Sequence, residues 1–271
     1  HVISICPTYQ QHYSIPESFG AKLDILWLRP ENDFLPDLEE LESMLRPNTK
    51  LVVLNNPNNP TGALLMGPNL EEFVAVVRTS GAYILCDEVY RGTNQVGNGF
   101  APAMADIYEK GISVSSMSKV FSLAGIRLGW IAAPREVLEA VSIRRDYNTI
   151  SVGMIDDYFA SLALENKEKI IGRSQKITRG NLKILDDWIS KEQSISYKKP
   201  QAGTTALLKY DFDIPSREFC IQLLRETGVM FTPGSVMEME GWLRIGYANS
   251  PEVLSQGLDL VSNFLSRMKS R

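Results

Sequence analysis

The chain has 271 residues, 44% of them hydrophobic and 22% charged, with a formal net charge of −4. At about 100–200 residues per domain this is one large domain or two of modest size, with enough chain to bury a core. The acidic balance argues against a broad basic surface for nucleic acid, and no apolar run approaches the ~20 residues a membrane helix needs. Three cysteines and two histidines leave little material for a disulfide framework, a metal site or a His-based triad. Cys6, Cys86 and Cys220 are widely spaced and odd in number, which points to a reducing, cytoplasmic setting.

The chain opens on His1-Val2-Ile3-Ser4-Ile5, which reads as a strand already under way, so the expectation is a start inside a domain. The first strand is expected at Val2–Cys6 and the second at Leu23–Leu28, with a helix near Asp37–Leu45. Leu51–Leu54 is a buried strand and Asn69–Thr79 an amphipathic helix. Strands follow at Tyr83–Cys86, Ile112–Ser115 and Leu128–Ala132, then a helix at Arg135–Arg144. Alternation of this kind predicts an α/β layer architecture around a largely parallel sheet, with ligands beyond the carboxyl ends of its strands.

A long helical stretch is expected over Met154–Ser190, bridging to a second unit. There the pattern changes to strands at Ile195–Tyr197, Ala206–Tyr210, Val229–Thr232 and Trp242–Ile245, with helices at Ser216–Thr227 and Pro251–Met268. The expected division is a large domain over 1–150 and, over 151–271, a linking helix and a smaller α+β domain.

Four stretches carry chemistry. Leu51–Leu54 runs into Asn55-Asn56-Pro57-Asn58-Asn59-Pro60-Thr61-Gly62, where two prolines fix φ and a glycine permits an unusual backbone. An asparagine amide held there can donate to a phenolate oxygen. Tyr83–Cys86 ends in Asp87-Glu88-Val89-Tyr90, and a carboxylate at a strand end can pair with a protonated pyridine nitrogen. Tyr90 can reach the same ring oxygen as Asn59. In Ser116-Met117-Ser118-Lys119, with Arg127 eight residues on, a lysine amine suits covalent attachment to an aldehyde, while the serine and arginine suit its phosphate. Lys119 follows a strand among small residues, and an enclosed position is expected. Arg244 lies inside the apolar Trp242-Leu243-Arg244-Ile245, where it calls for an anion such as a substrate carboxylate. Tyr9, after the first strand, is placed to stack on a ring.

Taken alone, the Asn/Pro stretch also reads as a plain turn, the Asp-Glu pair as an acidic sheet rim, Arg244 as half of an internal ion pair, and Tyr9 as core. In order, Asn-Pro-Thr-Gly (59–62), Asp-Glu-Val-Tyr (87–90), Ser-Met-Ser-Lys (116–119), Gly-Ile-Arg-Leu-Gly (125–129) and Leu-Arg-Ile-Gly-Tyr-Ala (243–248) resemble the class I/II aminotransferases of pyridoxal-phosphate fold type I. The resemblance runs from the first strand to the closing helix. It implies a PLP-dependent aminotransferase acting on an amino acid and a 2-oxo acid, as a homodimer. Lys119 would form the Schiff base and Asp87 would pair with the pyridine nitrogen. Asn59 and Tyr90 would contact the ring oxygen, Ser116 and Arg127 the phosphate, Arg244 the substrate carboxylate, and Tyr9 the ring face.

Two departures stand out. Family members have an additional N-terminal segment, with a glycine-rich phosphate turn, that this sequence does not show. Pro200-Gln201-Ala202-Gly203-Thr204-Thr205 occupies a region where many relatives carry a Gly-Gly pair followed by an aromatic, and Thr204 and Thr205 are expected to alter the substrate pocket. A β-lyase, cyclase or decarboxylase would use the same lysine and aspartate, and a non-catalytic sensor domain would share the fold.

Overall fold

The computed structural model describes residues 1–269. Its first sheet has six strands, β1 (Val2–Cys6), β2 (Leu23–Trp27), β3 (Leu51–Asn55), β4 (Tyr83–Asp87), β5 (Gly111–Ser116) and β6 (Gly129–Ala132), in the order β2-β1-β3-β4-β5-β6. The first five run parallel and β6 is antiparallel to β5. The α/β class with a largely parallel sheet is therefore the one expected. All five residues of β1 are buried, as a strand flanked on both edges and covered on both faces requires.

Local signals explain the covering helices. In α2 (Leu38–Met44) Asp37 caps the N-terminus by accepting from the Glu40 amide at 3.0 Å. α3 (Pro68–Ser80) has proline in its first turn and Gly81 in the left-handed region at its end, and it buries Leu70, Phe73, Val74 and Val77 at helical spacing. These side chains join Ile3, Ile5, Val52 and Ile84 in one core.

Two short helices were not expected. α1 (Gln11–Ser18) contains Pro16 and buries no residue, so it carries no apolar stripe to read. α4 (Met104–Ile107) is a single turn. α5 (Arg135–Arg145) falls where predicted. The stretch over Met154–Ser190 is two helices rather than one: α6 (Met154–Glu165) and α7 (Lys167–Ile189) meet at Asn166, whose side chain donates to the Leu162 carbonyl at 2.9 Å. That local bond offers the backbone an alternative to continued helix.

The second sheet, β7 (Ile195–Tyr197), β8 (Thr205–Tyr210), β9 (Thr232–Pro233) and β10 (Trp242–Gly246), is antiparallel throughout, in the order β7-β8-β10-β9. The strand expected at Val229–Thr232 is only the two-residue β9, because just Thr232 and Pro233 pair with β10. With α8 (Ser216–Thr227) and α9 (Pro251–Lys269) this sheet encloses a second core around Phe219, Leu243, Tyr247 and Phe264. The sheets are tied where Gly62, at φ +72°, accepts from the Gln201 and Ala202 amides at 2.8 and 3.1 Å. A Cβ on Gly62 would lie 2.5 Å from the Pro200 Cβ, so only glycine allows this approach.

Candidate active site

The site lies beyond the carboxyl ends of β3, β4 and β5, the usual ligand position in an open parallel sheet. β3 ends at Asn55, and its side chain does two jobs there. Its amide donates to the Asp87 carbonyl at 2.8 Å, and its oxygen accepts from the Asn59 backbone at 2.8 Å. Asn56 is spent on both polar groups of the Leu65 backbone. The Asn58 side chain is spent on Thr61 and the Pro7 carbonyl. Asn59 differs: among the described residues no protein acceptor takes its amide NH2, while its oxygen faces Arg244 and Thr205. The asparagine-rich turn thus supports one free side-chain amide on a saturated frame.

Asp87 ends β4 and is 9% exposed. One carboxylate oxygen accepts from the Val89 amide at 3.1 Å and the other lies 3.2 Å from His12 Nε2. The opposite ring nitrogen, His12 Nδ1, is 2.9 Å from the Thr8 hydroxyl. Asn55 and His12 are the supporting residues the motifs missed. The available signals were thin: Asn55 begins the asparagine run, and His12 is one of two histidines, four residues after Thr8.

Tyr90 is buried, and that burial pushes its phenol above the ordinary tyrosine range. A hydrogen bond from Thr204 and the charge of Arg244 pull the other way, while Asp87 and Tyr9 add to the rise. The Lys119 Nζ lies 5.9 Å from the centroid of the Tyr90 ring. Lys119 is exposed rather than enclosed, because it sits on the turn after β5 and its small neighbours cover little of a long side chain. No carboxylate among the described residues forms an ion pair with it.

Ser116 ends β5, and its hydroxyl accepts from the Ser118 amide at 3.2 Å. Arg127 is exposed and holds a left-handed backbone at φ +49°, with its guanidinium donating to the Ala124 carbonyl at 2.6 Å. A non-glycine residue in that region is strained, a state that concentrates at functional turns.

Arg244, on β10, is half-buried. It donates to the Asn59 side-chain oxygen at 3.4 Å and to the Thr232 hydroxyl at 3.1 Å, both neutral. The internal ion pair that the sequence left open is absent among the described residues. Tyr9 is 51% exposed rather than core, edge-on to His12 with ring centroids 6.1 Å apart, and its hydroxyl accepts from Gln11 at 2.9 Å. A cavity of about 520 Å³ is lined by Glu88, Ser115 and Val120, the chain neighbours of Asp87, Ser116 and Lys119, together with Arg91, Phe100 and Trp130. Neither Lys119 nor Asp87 lines it, so the candidate site rests on the convergence of polar groups and not on cavity size.

The donor set fits pyridoxal phosphate: an amine without a carboxylate partner, a carboxylate whose two oxygens are fixed, a free amide beside a buried phenol, and a serine and an arginine on the next turn. The relatives agree. A solved PLP-dependent aminotransferase from Streptococcus suis 89-1591 superposes with a TM-score of 0.95 at 45% identity, covering 99% of this chain and 71% of its own. The capreomycidine synthase of Streptomyces vinaceus is 29% identical over 97% of this chain and 68% of its own length. The aspartate aminotransferase of Thermotoga maritima is 28% identical over 91% of this chain and 64% of its own length. The chain thus spans about two thirds of the length of these curated relatives. The family model described as aminotransferase class I and II matches residues 1–259, and the chain belongs to that family.

Proposed function

We propose that the protein is a PLP-dependent aminotransferase that moves an amino group between an amino acid and a 2-oxo acid. The observation that carries this reading is the Lys119 amine, free of any carboxylate pair among the described residues, 5.9 Å from the Tyr90 ring and on the turn after β5, the strand paired with the one that ends in Asp87. Bound pyridoxal phosphate supplies an electron sink for bond breaking at the substrate Cα.

The chain's own residues do the rest. Lys119 Nζ would anchor the cofactor aldehyde and, once displaced by the substrate amine, would take the Cα proton and deliver it to the cofactor carbon. Asp87, its oxygens fixed by Val89 and His12, stabilises positive charge on the ring nitrogen. The free Asn59 amide and the Tyr90 phenol hold the ring oxygen. Ser116 and Arg127 hold the phosphate, and Tyr9 lies against the ring face. Arg244 grips the substrate carboxylate with a planar fork, which orients the bond to be broken.

On this reading residues 1–150 form the cofactor-binding part, and residues 151–271 the link and the smaller domain. A homodimer in the cytoplasm completes the proposal. It is supported by exposed apolar side chains on and near α5 and α6, including Ile143, Tyr147, Ile150, Met154, Ile155 and Tyr158, and by three buried, unpaired cysteines. A second reading, another PLP reaction on an amino acid such as β-elimination, cyclisation or decarboxylation, is supported by a relative that is a synthase rather than an aminotransferase by name, and uses the same anchor.

Borohydride reduction of the cofactor-loaded full-length protein, followed by peptide mapping, is expected to fix the label on Lys119. Lys119→Ala is expected to abolish turnover. A label elsewhere, or transamination retained by the variant, defeats the proposal. A donor panel scored for 2-oxo acid against ammonia or a cyclised product separates the two reactions.

A further inference from the structure

The carboxylate grip assigned to Arg244 has a neighbour no motif contains. β8 and β10 are antiparallel, with Arg244 opposite Leu207 and Gly246 opposite Thr205. Opposed side chains share a face and alternate residues along a strand return to it, so Thr205 and Arg244 are diagonal neighbours on one face. Across β10 the residue opposite Arg244 is Thr232. One sheet face therefore presents a hydroxyl, a guanidinium and a second hydroxyl in a row.

The row faces Asn59. The Arg244 guanidinium and the Thr205 hydroxyl converge on one acceptor, Asn59 Oδ1, at 3.4 and 3.5 Å. Thr205 also reaches the Pro60 carbonyl at 3.4 Å. All three distances lie beyond the 2.7–3.2 Å of well-made hydrogen bonds to oxygen, and a neutral amide oxygen is a weaker acceptor than a carboxylate. The position opposite Thr205 is Gly246, exposed and without a side chain, so the face is open beside the hydroxyl. Thr205 itself is half-buried at the head of β8.

We propose that Thr205 is a substrate-binding residue: its hydroxyl donates to one oxygen of the substrate α-carboxylate while Arg244 holds the carboxylate by its fork. This rests on the reading of Arg244 given above. On an approaching carboxylate, Thr205 and Arg244 exchange a shared, long contact with Asn59 for short charge-assisted bonds. The Asn59 side chain is released toward its other partner, the ring oxygen.

The test uses the full-length, cofactor-loaded protein with Thr205→Val, which keeps the shape and removes the hydroxyl, and Thr205→Ser, which restores it. The probes are propionate and its uncharged amide, propionamide, with binding followed by calorimetry and by the cofactor absorbance. Near-ultraviolet circular dichroism checks that each variant is folded. The preference for propionate over propionamide is expected to fall about 10-fold in Thr205→Val, the factor one hydrogen bond to a charged group supplies, and to return in Thr205→Ser. An unchanged preference in Thr205→Val, no recovery in Thr205→Ser, or no propionate binding by the parent protein overturns the proposal. Failure of borohydride trapping at Lys119 would sink the functional reading instead, and is scored separately.

Discussion

His12 holds Asp87 from the side: its Nε2 lies 3.2 Å from one carboxylate oxygen, and its other nitrogen lies 2.9 Å from the Thr8 hydroxyl. Thr8 and His12 bracket the start of α1, while Asp87 ends β4, so the contact joins the turn after the first strand to the end of the fourth. With Nε2 donating to the carboxylate, the Thr8 hydroxyl donates to Nδ1, and both ring nitrogens are used.

His12→Phe removes one fixed partner of Asp87 while keeping a planar ring. Cofactor dissociation, measured by absorbance titration, is expected to weaken about 10-fold, the scale of a lost hydrogen bond to a charged group. Thr8→Val is expected to weaken it in the same direction and by less, since it acts only through the imidazole.

Arg244→Lys keeps the charge and loses the fork. A lysine at a bidentate site is a poor substitute, and a rise of about 10- to 100-fold in KM for both amino acid and 2-oxo acid is expected from steady-state kinetics. Retention of the Lys119 label after borohydride would show that the cofactor site is intact.

Gly62→Ala places a Cβ 2.5 Å from the Pro200 Cβ at a residue with φ +72°. Overpacking and left-handed strain together are expected to cost about 2 kcal/mol or more, read as a lower urea midpoint. The variant is also expected to bind cofactor less tightly, because the same turn carries Asn59.

Glu88 gives a pH-dependent prediction. Burial pushes its carboxyl above the ordinary glutamate range, against hydrogen bonds from the Met104 amide and the Ser113 hydroxyl. With the folded value raised, the folded state holds the proton more tightly than the unfolded state. Stability therefore falls as pH rises from the ordinary glutamate range through the raised folded value. Glu88→Gln keeps an oxygen to accept both bonds and removes the titration. Urea midpoints measured across that interval are expected to show a shallower decline in the variant than in the parent.

Much of the sheet is legible in the sequence because its strands are short apolar runs bounded by polar turns, as at Leu51–Asn55 and Tyr83–Asp87. α3 is equally plain, with its proline start, glycine stop and apolar stripe. α1 was hidden because it buries nothing, and the break at Asn166 was hidden because the polar pattern of α6 and α7 continues across it. Among the candidate site residues, Asn59, Asp87, Lys119 and Arg244 stand out in the sequence because each lies in a motif at or near a strand end. Asn55 and His12 do not, because their roles are contacts with Asp87, which is distant from both in the sequence.

Residue order and local chemistry determined the fold class, the family and the groups able to bind a phosphorylated aldehyde. Those properties depend on side-chain type and on spacing along the chain. Only the tertiary structure decided which of four asparagines keeps a free amide, that Lys119 is exposed, and that Thr205 and Arg244 share one face toward Asn59. Such relationships depend on strand register and on which donors and acceptors are already paired, and neither quantity exists until distant segments meet.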